Sequence, residues 1–186
     1  MARVRDIDVD ELSSELKQEY EQLAANYGPF INQLKVYAHR PAASRHIMGL
    51  LLEFSNDVLL PKRHLELALL VVSRMNECQS CIKYHAPELI GEGFSQETVE
   101  NILRPDCPGL DESDQLVRDY SILVTESANR IPDAFFKRLR EYFSDSQIVE
   151  LTLRIAMCGF FNRFNAALQI EEEDEAQATL ASVQNF

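Results

Sequence analysis

A helical spacing of apolar residues, repeated along most of the chain, is the feature that most limits the folds open to this sequence. Between Val9 and Tyr27 the apolar side chains recur every three to four residues, which places them on one side of an α-helix. Valines and isoleucines elsewhere lie inside similar patterns and do not alternate with the period of two typical of a β-strand. Six glycines and seven prolines in 186 residues leave little material for turns. The sequence therefore predicts an all-α fold.

Proline, glycine and capping residues divide the chain into about nine or ten predicted helices. Ser144-Asp145-Ser146, for example, is expected to cap a long helix that begins at Gln147. The predicted helices cover residues 9–27, 31–38, 41–57, 61–75, 78–92, 95–104, 111–129, 132–143, 147–170 and 171–183. Because no Gly/Ser-rich linker interrupts this series, we predict one domain over residues 1–186.

Two of the predicted apolar helices begin alike. One opens with Glu66-Leu-Ala-Leu and the other with Glu150-Leu-Thr-Leu, and an asparagine follows each of them, Asn76 and Asn162. An internal helical duplication would explain this similarity, and so would the general likeness of two buried helices. Both interpretations stay open.

The charge and the N-terminus exclude several classes of function. The formal net charge is −12, so the surface repels nucleic acid and anionic membranes. The first ten residues lack the apolar segment of a secretory signal, and the longest apolar run, Leu67 to Val72, is too short to cross a bilayer. We therefore expect a cytoplasmic protein, in which paired cysteines indicate redox or metal chemistry rather than structural disulfides.

The most informative segment has the form Cys-x-x-Cys-x-x-x-His, with Cys78, Cys81 and His85. On a helix these three side chains lie within a sector of about 60°, so the imidazole can share a proton with Cys81. Asn76 is the expected N-cap, which puts Cys78 in the first turn, near the positive end of the helix dipole. That position favours thiolates in Cys-x-x-Cys pairs.

Glu66 interrupts a run of apolar residues and is expected to lie among apolar neighbours. A carboxylate in such surroundings must be hydrogen-bonded or protonated, and burial moves its pKa toward the range useful for proton transfer. A buried glutamate facing the helix that carries Cys81 and His85 would act as a general base or a proton relay.

Taken together, Glu66, Cys78-x-x-Cys81 and His85 resemble the AhpD-like, or alkylhydroperoxidase D-like, branch of the carboxymuconolactone decarboxylase family. The late segment with Val149-Glu-Leu-Thr-Leu and Phe161-Asn-Arg-Phe also resembles this branch. The similarity covers roughly residues 29–169 and is greatest to the peroxidase-related members.

The resemblance implies an all-helical protein that forms trimers or hexamers. It implies peroxiredoxin-type reduction of organic hydroperoxides by the cysteine pair, with Glu66 and His85 relaying protons and without metal or haem. A dithiol reductant, either a protein or a small thiol, would regenerate the pair. The chain departs from the founding alkylhydroperoxidase at Ser80, where that enzyme has a second histidine between the cysteines. A hydroxyl can pass on a proton but cannot hold one near neutral pH.

The expected reaction starts when Cys81 attacks the peroxide and becomes a sulfenic acid, which Cys78 then converts into a disulfide. The choice of the attacking sulfur stays open, because Cys78 gains more from the helix dipole and Cys81 more from the imidazole. Ser80, Tyr84 and Asn162 are candidate residues of the surrounding pocket.

Several other interpretations compete with a peroxidase. The pair could be inert core residues, a switch in a non-enzymatic redox sensor or scaffold, or two ligands of zinc. Zinc would also need His85 and a fourth ligand from Cys107, Cys158 or His64. A lactone-type enzyme of the same family would use only Glu66 and His85, as acid and base.

The cysteines and histidines outside this motif suggest no second site. Cys107 is expected to be a lone thiol in a loop, Cys158 a core residue, and His39, His46 and His64 surface or hydrogen-bonded polar residues. If one subunit cannot bury all of Phe160, Phe161 and Phe164, the remaining rings form a contact with another subunit. We therefore expect a homo-oligomer that covers the remaining apolar surface.

Overall fold

Helices make up the regular structure of the described residues, which are 2–27 and 31–171 of a computed structural model. Within these ranges the chain forms nine α-helices and two 3₁₀ turns and no β-strand, which confirms the all-α prediction. The predicted helix over residues 171–183 falls, apart from Glu171, outside the described residues. The helices are α1 (Ser14–Tyr27), α2 (Ile31–Tyr37), α3 (Pro41–Asn56), α4 (Lys62–Met75), α5 (Gln79–Gly91), α6 (Gln96–Glu100), α7 (Glu112–Ser127), α8 (Asp133–Tyr142) and α9 (Asp145–Leu168), with 3₁₀ turns at Val9–Glu11 and Ala128–Arg130.

Side-chain caps begin three of these helices, and α9 begins two residues before the predicted Gln147. Ser144 Oγ accepts from the Gln147 backbone N–H at 3.3 Å, and Gln147 Oε1 accepts from the Ser144 N–H at 2.9 Å, at the start of α9. Ser95 caps α6 through the Thr98 N–H at 3.0 Å, and Asp111 caps α7. Each cap satisfies a backbone N–H that the first helical turn would leave without a partner.

Residue contacts divide the chain into two compact units. One comprises the described parts of Met1–Val58 and Asn165–Phe186, and the other comprises Leu59–Phe164. In the first unit Leu12, Leu16, Leu34 and Ala38 form a small buried cluster. A single domain over residues 1–186 stays a prediction.

The second unit is built around α4, which packs against α5 and α7. In α4 the side chains of the apolar run from Leu67 to Val72 are buried, apart from Leu69, which is half-buried. Leu151, Ile155 and other residues of the unit complete this core. Its burial explains why α4 can hold a polar side chain rigidly at a defined position.

An ion pair between partly exposed Arg63 and buried Asp114 joins α4 to the start of α7. Asp114 is fully buried, and its carboxylate accepts from Arg63 Nε at 2.8 Å and forms a second, shorter contact with the same guanidinium. His64 Nε2 lies 3.1 Å from Ser113 Oγ and 3.5 Å from Asp114 Oδ1. His64 Nε2 therefore belongs to this hydrogen-bonded network.

The sequence similarity between the segments that begin at Glu66 and Glu150 falls on α4 and α9. Both glutamates are buried. The two asparagines that follow them contact each other, because Asn76 Nδ2 donates to Asn162 Oδ1 at 3.1 Å. The duplication itself stays a prediction.

Among the residues that the structure describes, none of the helices combines the length and apolar character needed to cross a bilayer.

Candidate functional site

The connection between α4 and α5 places the cysteine pair. Glu77 adopts a left-handed backbone conformation with φ of 55°. The Cys78 N–H then donates back to Ser73 O at 3.0 Å, and the Glu77 N–H donates to Arg74 O at 3.2 Å. This pattern is a Schellman motif, which ends one helix and turns the chain sharply into the next.

The motif corrects the predicted role of Asn76. Asn76 is the C-cap of α4 and not the N-cap of α5. Cys78 itself occupies the N-cap position of α5. The expectation was wrong because the connection between the two helices is short, and the backbone that follows Asn76 donates its N–H groups to the end of α4 in the Schellman motif. Cys81 thus lies in the first turn of α5, where the helix dipole acts on it directly.

Cys78 and Cys81 are joined by a disulfide, with their Cα atoms 5.4 Å apart. Ser80 Oγ lies 3.5 Å from Cys78 Sγ, so this candidate pocket residue contacts the N-terminal cysteine of the pair. Tyr84 is 45% exposed, and its ring meets the His85 ring edge-on with centroids 5.1 Å apart. Both side chains therefore lie beside the groups that the sequence singles out.

Glu66 and His85 form a hydrogen-bonded pair between α4 and α5. Glu66 Oε2 lies 2.8 Å from His85 Nδ1, and Glu66 is only 8% exposed. The prediction that Glu66 is buried and faces the cysteine helix agrees with this geometry. A carboxylate that accepts from Nδ1–H orients the imidazole and leaves Nε2 to exchange a proton.

Asn162 brings α9 into the same site. Its side chain is 2% exposed, and Nδ2 lies 3.0 Å from Cys81 Sγ. Nothing in the local sequence pattern near the cysteines indicates this contact, because Asn162 is 81 residues further along the chain. Asn162 was nevertheless a candidate pocket residue, because it lies in the Phe161-Asn-Arg-Phe segment that shares in the family resemblance.

The other two cysteines are buried free thiols. Cys158 Sγ lies 3.6 Å from Ser73 Oγ, 3.7 Å from Leu69 O and 3.8 Å from Asn162 Oδ1. Burial raises the pKa of the Cys158 thiol to about 11 and also raises that of Cys107. Both are therefore poor nucleophiles at neutral pH, in contrast to a thiol at a helix N-terminus.

Two of the candidate zinc ligands, His64 and Cys107, have other partners in the structure. His64 contacts Ser113, and Cys107 Sγ donates to Thr98 O at 3.5 Å. In the described part of the chain, no group of three or more histidine, cysteine, aspartate and glutamate side chains has an arrangement that could hold a metal ion.

Comparison with known proteins finds a family model that matches part of the chain and solved structures with a similar fold. The model of the carboxymuconolactone decarboxylase family matches residues 42–111. The chain is 27% identical to the uncharacterized protein YdfG of Bacillus subtilis strain 168 over 105 residues, which are 55% of this chain and 71% of YdfG.

Two solved structures are similar in fold. One is a peroxidase-related protein from Ralstonia eutropha with an alkylhydroperoxidase AhpD core, at a TM-score of 0.78 and 20% identity over 94% of this chain and 93% of the other. The other is a putative antioxidant defence protein AhpD from Agrobacterium tumefaciens, at a TM-score of 0.66 and 25% identity over 75% of this chain and 97% of the other. The family match and the shared helical fold agree with the resemblance seen in the sequence. Residues 42–111 of the chain thus match the carboxymuconolactone decarboxylase family, and the chain shares the helical fold of these AhpD-like proteins.

Proposed function

We propose that this protein is a thiol-dependent peroxidase that reduces organic hydroperoxides through Cys78 and Cys81. The observation that carries the proposal is the disulfide-linked pair at the start of α5, one helical turn before a histidine that a buried glutamate orients. Thiols at such a position are activated by the helix dipole and by a neighbouring base. The similarity to a peroxidase-related protein and to a putative antioxidant defence protein supports the same role.

In the first step the Cys81 thiolate attacks one oxygen of the hydroperoxide. A sulfur–oxygen bond forms and the oxygen–oxygen bond breaks, so that Cys81 becomes a sulfenic acid and the peroxide leaves as an alcohol. His85 supplies the proton that the departing alkoxide takes up, and Glu66 stabilises the charged imidazole that delivers it. Sulfur loses two electrons in this step, and the peroxide gains them.

In the second step the Cys78 sulfur attacks the sulfenic sulfur of Cys81. The disulfide forms and the sulfenic oxygen leaves as water. An external dithiol, on a reductant protein or a small thiol, then returns two electrons by exchange through a mixed disulfide. The cycle needs no metal or organic cofactor, and a reducing compartment such as the cytoplasm would sustain it.

The proposal is tested by mapping thiols after a single exposure to peroxide. The fully reduced protein is mixed with one equivalent of cumene hydroperoxide, quenched with an alkylating agent and analysed by peptide mass spectrometry. We expect a Cys78–Cys81 disulfide, loss of the hydroperoxide, and free Cys107 and Cys158. Unmodified Cys78 and Cys81 after this treatment would contradict a peroxidase.

A second measurement separates an enzyme from a sensor. With excess dithiothreitol, a peroxidase consumes many equivalents of hydroperoxide, whereas a redox sensor forms its disulfide without sustained turnover. Lactone chemistry that depends on Glu66 and His85 alone would persist in a protein with both cysteines replaced by serine.

Replacing Glu66 by glutamine tests the proton relay. The Glu66→Gln side chain keeps an oxygen that can accept from His85 Nδ1 but loses the charge that stabilises the imidazolium. We expect the rate of hydroperoxide reduction to fall by about 10²-fold, the lower range for loss of general acid–base catalysis. The matched control is Glu88→Gln, which removes a carboxylate of α5 that pairs with Lys62 at 2.9 Å and should keep the wild-type rate. Equal rates for the two variants would remove Glu66 from the mechanism.

We also propose that the protein assembles as a homo-oligomer, a trimer or a hexamer. Val149, Leu153 and Phe160 are exposed apolar residues of α9, spaced so that they share one face of the helix. The Phe160 ring contacts Phe161 and Phe164, with centroids 5.3 and 5.9 Å apart, and those two rings are themselves only half-buried. An apolar helix face of this kind is typically covered by another subunit.

A further inference from the structure

The surrounding hydrogen bonds determine which group of the Asn162 side chain faces Cys81. An asparagine amide can present either its oxygen or its NH₂ group to a neighbour. Only the NH₂ group can donate a hydrogen bond to a negatively charged sulfur. The orientation of the Asn162 amide therefore decides whether Asn162 can stabilise a Cys81 thiolate.

A backbone carbonyl sets that orientation through Asn76. Asn76 Nδ2 donates to Val72 O at 3.0 Å, and the same nitrogen lies 3.1 Å from the Asn162 side chain. Because a carbonyl can only accept, the Asn76 group that faces it must be the NH₂ group. The Asn162 atom that meets this NH₂ group must then be the oxygen, which leaves the Asn162 NH₂ group facing Cys81 Sγ at 3.0 Å.

Cys158 supports the same arrangement from within α9. Its sulfur lies 3.8 Å from Asn162 Oδ1 and is surrounded by oxygens that can accept its proton. The Ser73 hydroxyl already donates to Leu69 O at 2.7 Å, so it can accept from the Cys158 thiol. A neutral thiol at this position fits the Asn162 oxygen better than the NH₂ group, which is a donor itself.

The charged and titratable groups around Cys81 come from three helices. His85 and the Cys78 sulfur lie on α5, Glu66 faces His85 from α4, and Cys158 lies beside Asn162 on α9. The Glu66 carboxylate opposes a negative charge on Cys81, and the neutral Cys158 thiol adds no charge. A fixed N–H donor from Asn162 stabilises the thiolate, since hydrogen bonds to a charged acceptor are stronger than those to a neutral one.

We propose that Asn162 is a catalytic residue that donates a hydrogen bond to the Cys81 thiolate, and that Asn76 is the positioning residue that orients its amide. Cys78 has a Ser80 hydroxyl 3.5 Å from its sulfur, whereas Cys81 has the oriented amide. The two sulfurs therefore differ in a way that selects Cys81 as the attacking one. This role rests on the proposed function, because the selection matters only if the pair reacts with peroxide.

The test measures the Cys81 thiol by itself, without peroxide. In a full-length Cys78→Ser protein the rate of Cys81 alkylation by iodoacetamide is followed from pH 5 to 10, with each cysteine identified by peptide mass spectrometry. Adding Asn162→Leu removes the donor without introducing charge. We expect the Cys81 pKa to rise by about one unit, so that alkylation at a pH below the pKa slows about tenfold.

Two further variants make the outcome specific. Asn76→Leu leaves Asn162 in place but removes its orienting donor, so the Cys81 pKa should rise in the same direction by a smaller amount. Asn101→Leu is the matched control, since the Asn101 amide donates to Glu97 O at 2.8 Å and should leave the Cys81 pKa unchanged. If circular dichroism shows that Asn162→Leu does not fold, Asn76→Leu tests the proposal instead, because Asn76 is only half-buried.

The results separate this inference from the function on which it rests. An unchanged Cys81 pKa in the folded variants, in a protein that does consume hydroperoxide, would overturn the role of Asn162 and leave the peroxidase in place. A raised pKa in a protein that does not consume hydroperoxide would support thiolate stabilisation and contradict the peroxidase.

Discussion

Replacing Cys81 by serine is expected to lower sustained hydroperoxide consumption by on the order of 10³-fold or more, because it removes the reacting atom. A serine oxygen is not oxidised by a hydroperoxide, and its hydroxyl stays protonated near neutral pH. The measurement is the loss of cumene hydroperoxide over time in excess dithiothreitol. Cys107→Ser is the matched control, since this thiol is buried and its pKa is raised, and the variant should keep the wild-type rate.

The Cys78→Ser variant should behave differently from Cys81→Ser. Without the resolving sulfur, Cys81 can still react once, and its sulfenic acid should be captured by dimedone in one equivalent. If dimedone instead labels Cys78 in the Cys81→Ser variant and finds nothing in Cys78→Ser, the order of attack is the reverse of the one proposed. Comparable turnover in Cys81→Ser and wild type would contradict the thiol mechanism altogether.

Replacing Asp114 by asparagine is expected to destabilise the protein by about 3 kcal/mol, because its buried carboxylate loses charge-assisted hydrogen bonds that contribute roughly 1.5 to 3 kcal/mol each. The two carboxylate oxygens of Asp114 accept from Arg63 and from the Asp111 N–H at 3.0 Å, and an amide offers only one acceptor for these donors. For a chain of this size such a loss corresponds to a Tm lower by roughly 6 to 12 °C. Thermal unfolding followed by circular dichroism at pH 7 measures it.

A surface ion pair provides the control for this stability effect. Arg104 Nη2 and Asp106 Oδ2 are 2.9 Å apart, with both side chains largely exposed. Water and salt screen such a pair, so Asp106→Asn should leave the Tm nearly unchanged. Equal shifts in the two variants would show that burial of Asp114 does not strengthen its interactions.

The same carboxylate predicts how stability depends on pH. Burial by itself would raise the pKa of Asp114, but hydrogen bonds from Arg63, His64 and the Asp111 backbone outweigh it and hold the pKa well below its usual range. A depressed pKa in the folded state contributes stability above the unfolded pKa of about 3.9, and this contribution is lost as the pH falls toward the folded value. In denaturant unfolding between pH 7 and 2.5, wild type should therefore lose more stability than Asp114→Asn.

Local patterns in the sequence were sufficient to predict the helices and part of the candidate site. Apolar spacing, together with residues such as Pro61 and Ser144, predicts where α4 and α9 begin to within a few residues, because helical period and capping depend on near neighbours. The spacing of Cys78, Cys81 and His85 places them on one face of α5 for the same reason. Glu66 could be paired with that face because it interrupts an apolar run that must be buried.

The tertiary structure alone decided which distant side chains meet. Asn162 reaches Cys81, and Arg63 reaches Asp114, only after α4, α5, α7 and α9 have packed. The structure also decided that Asn76 is the C-cap of α4 and not the N-cap of α5, because only a short connection separates the two helices. The period of a helix is encoded within a few residues, whereas a hydrogen bond between helices depends on how whole helix surfaces fit together, and no local pattern contains that information.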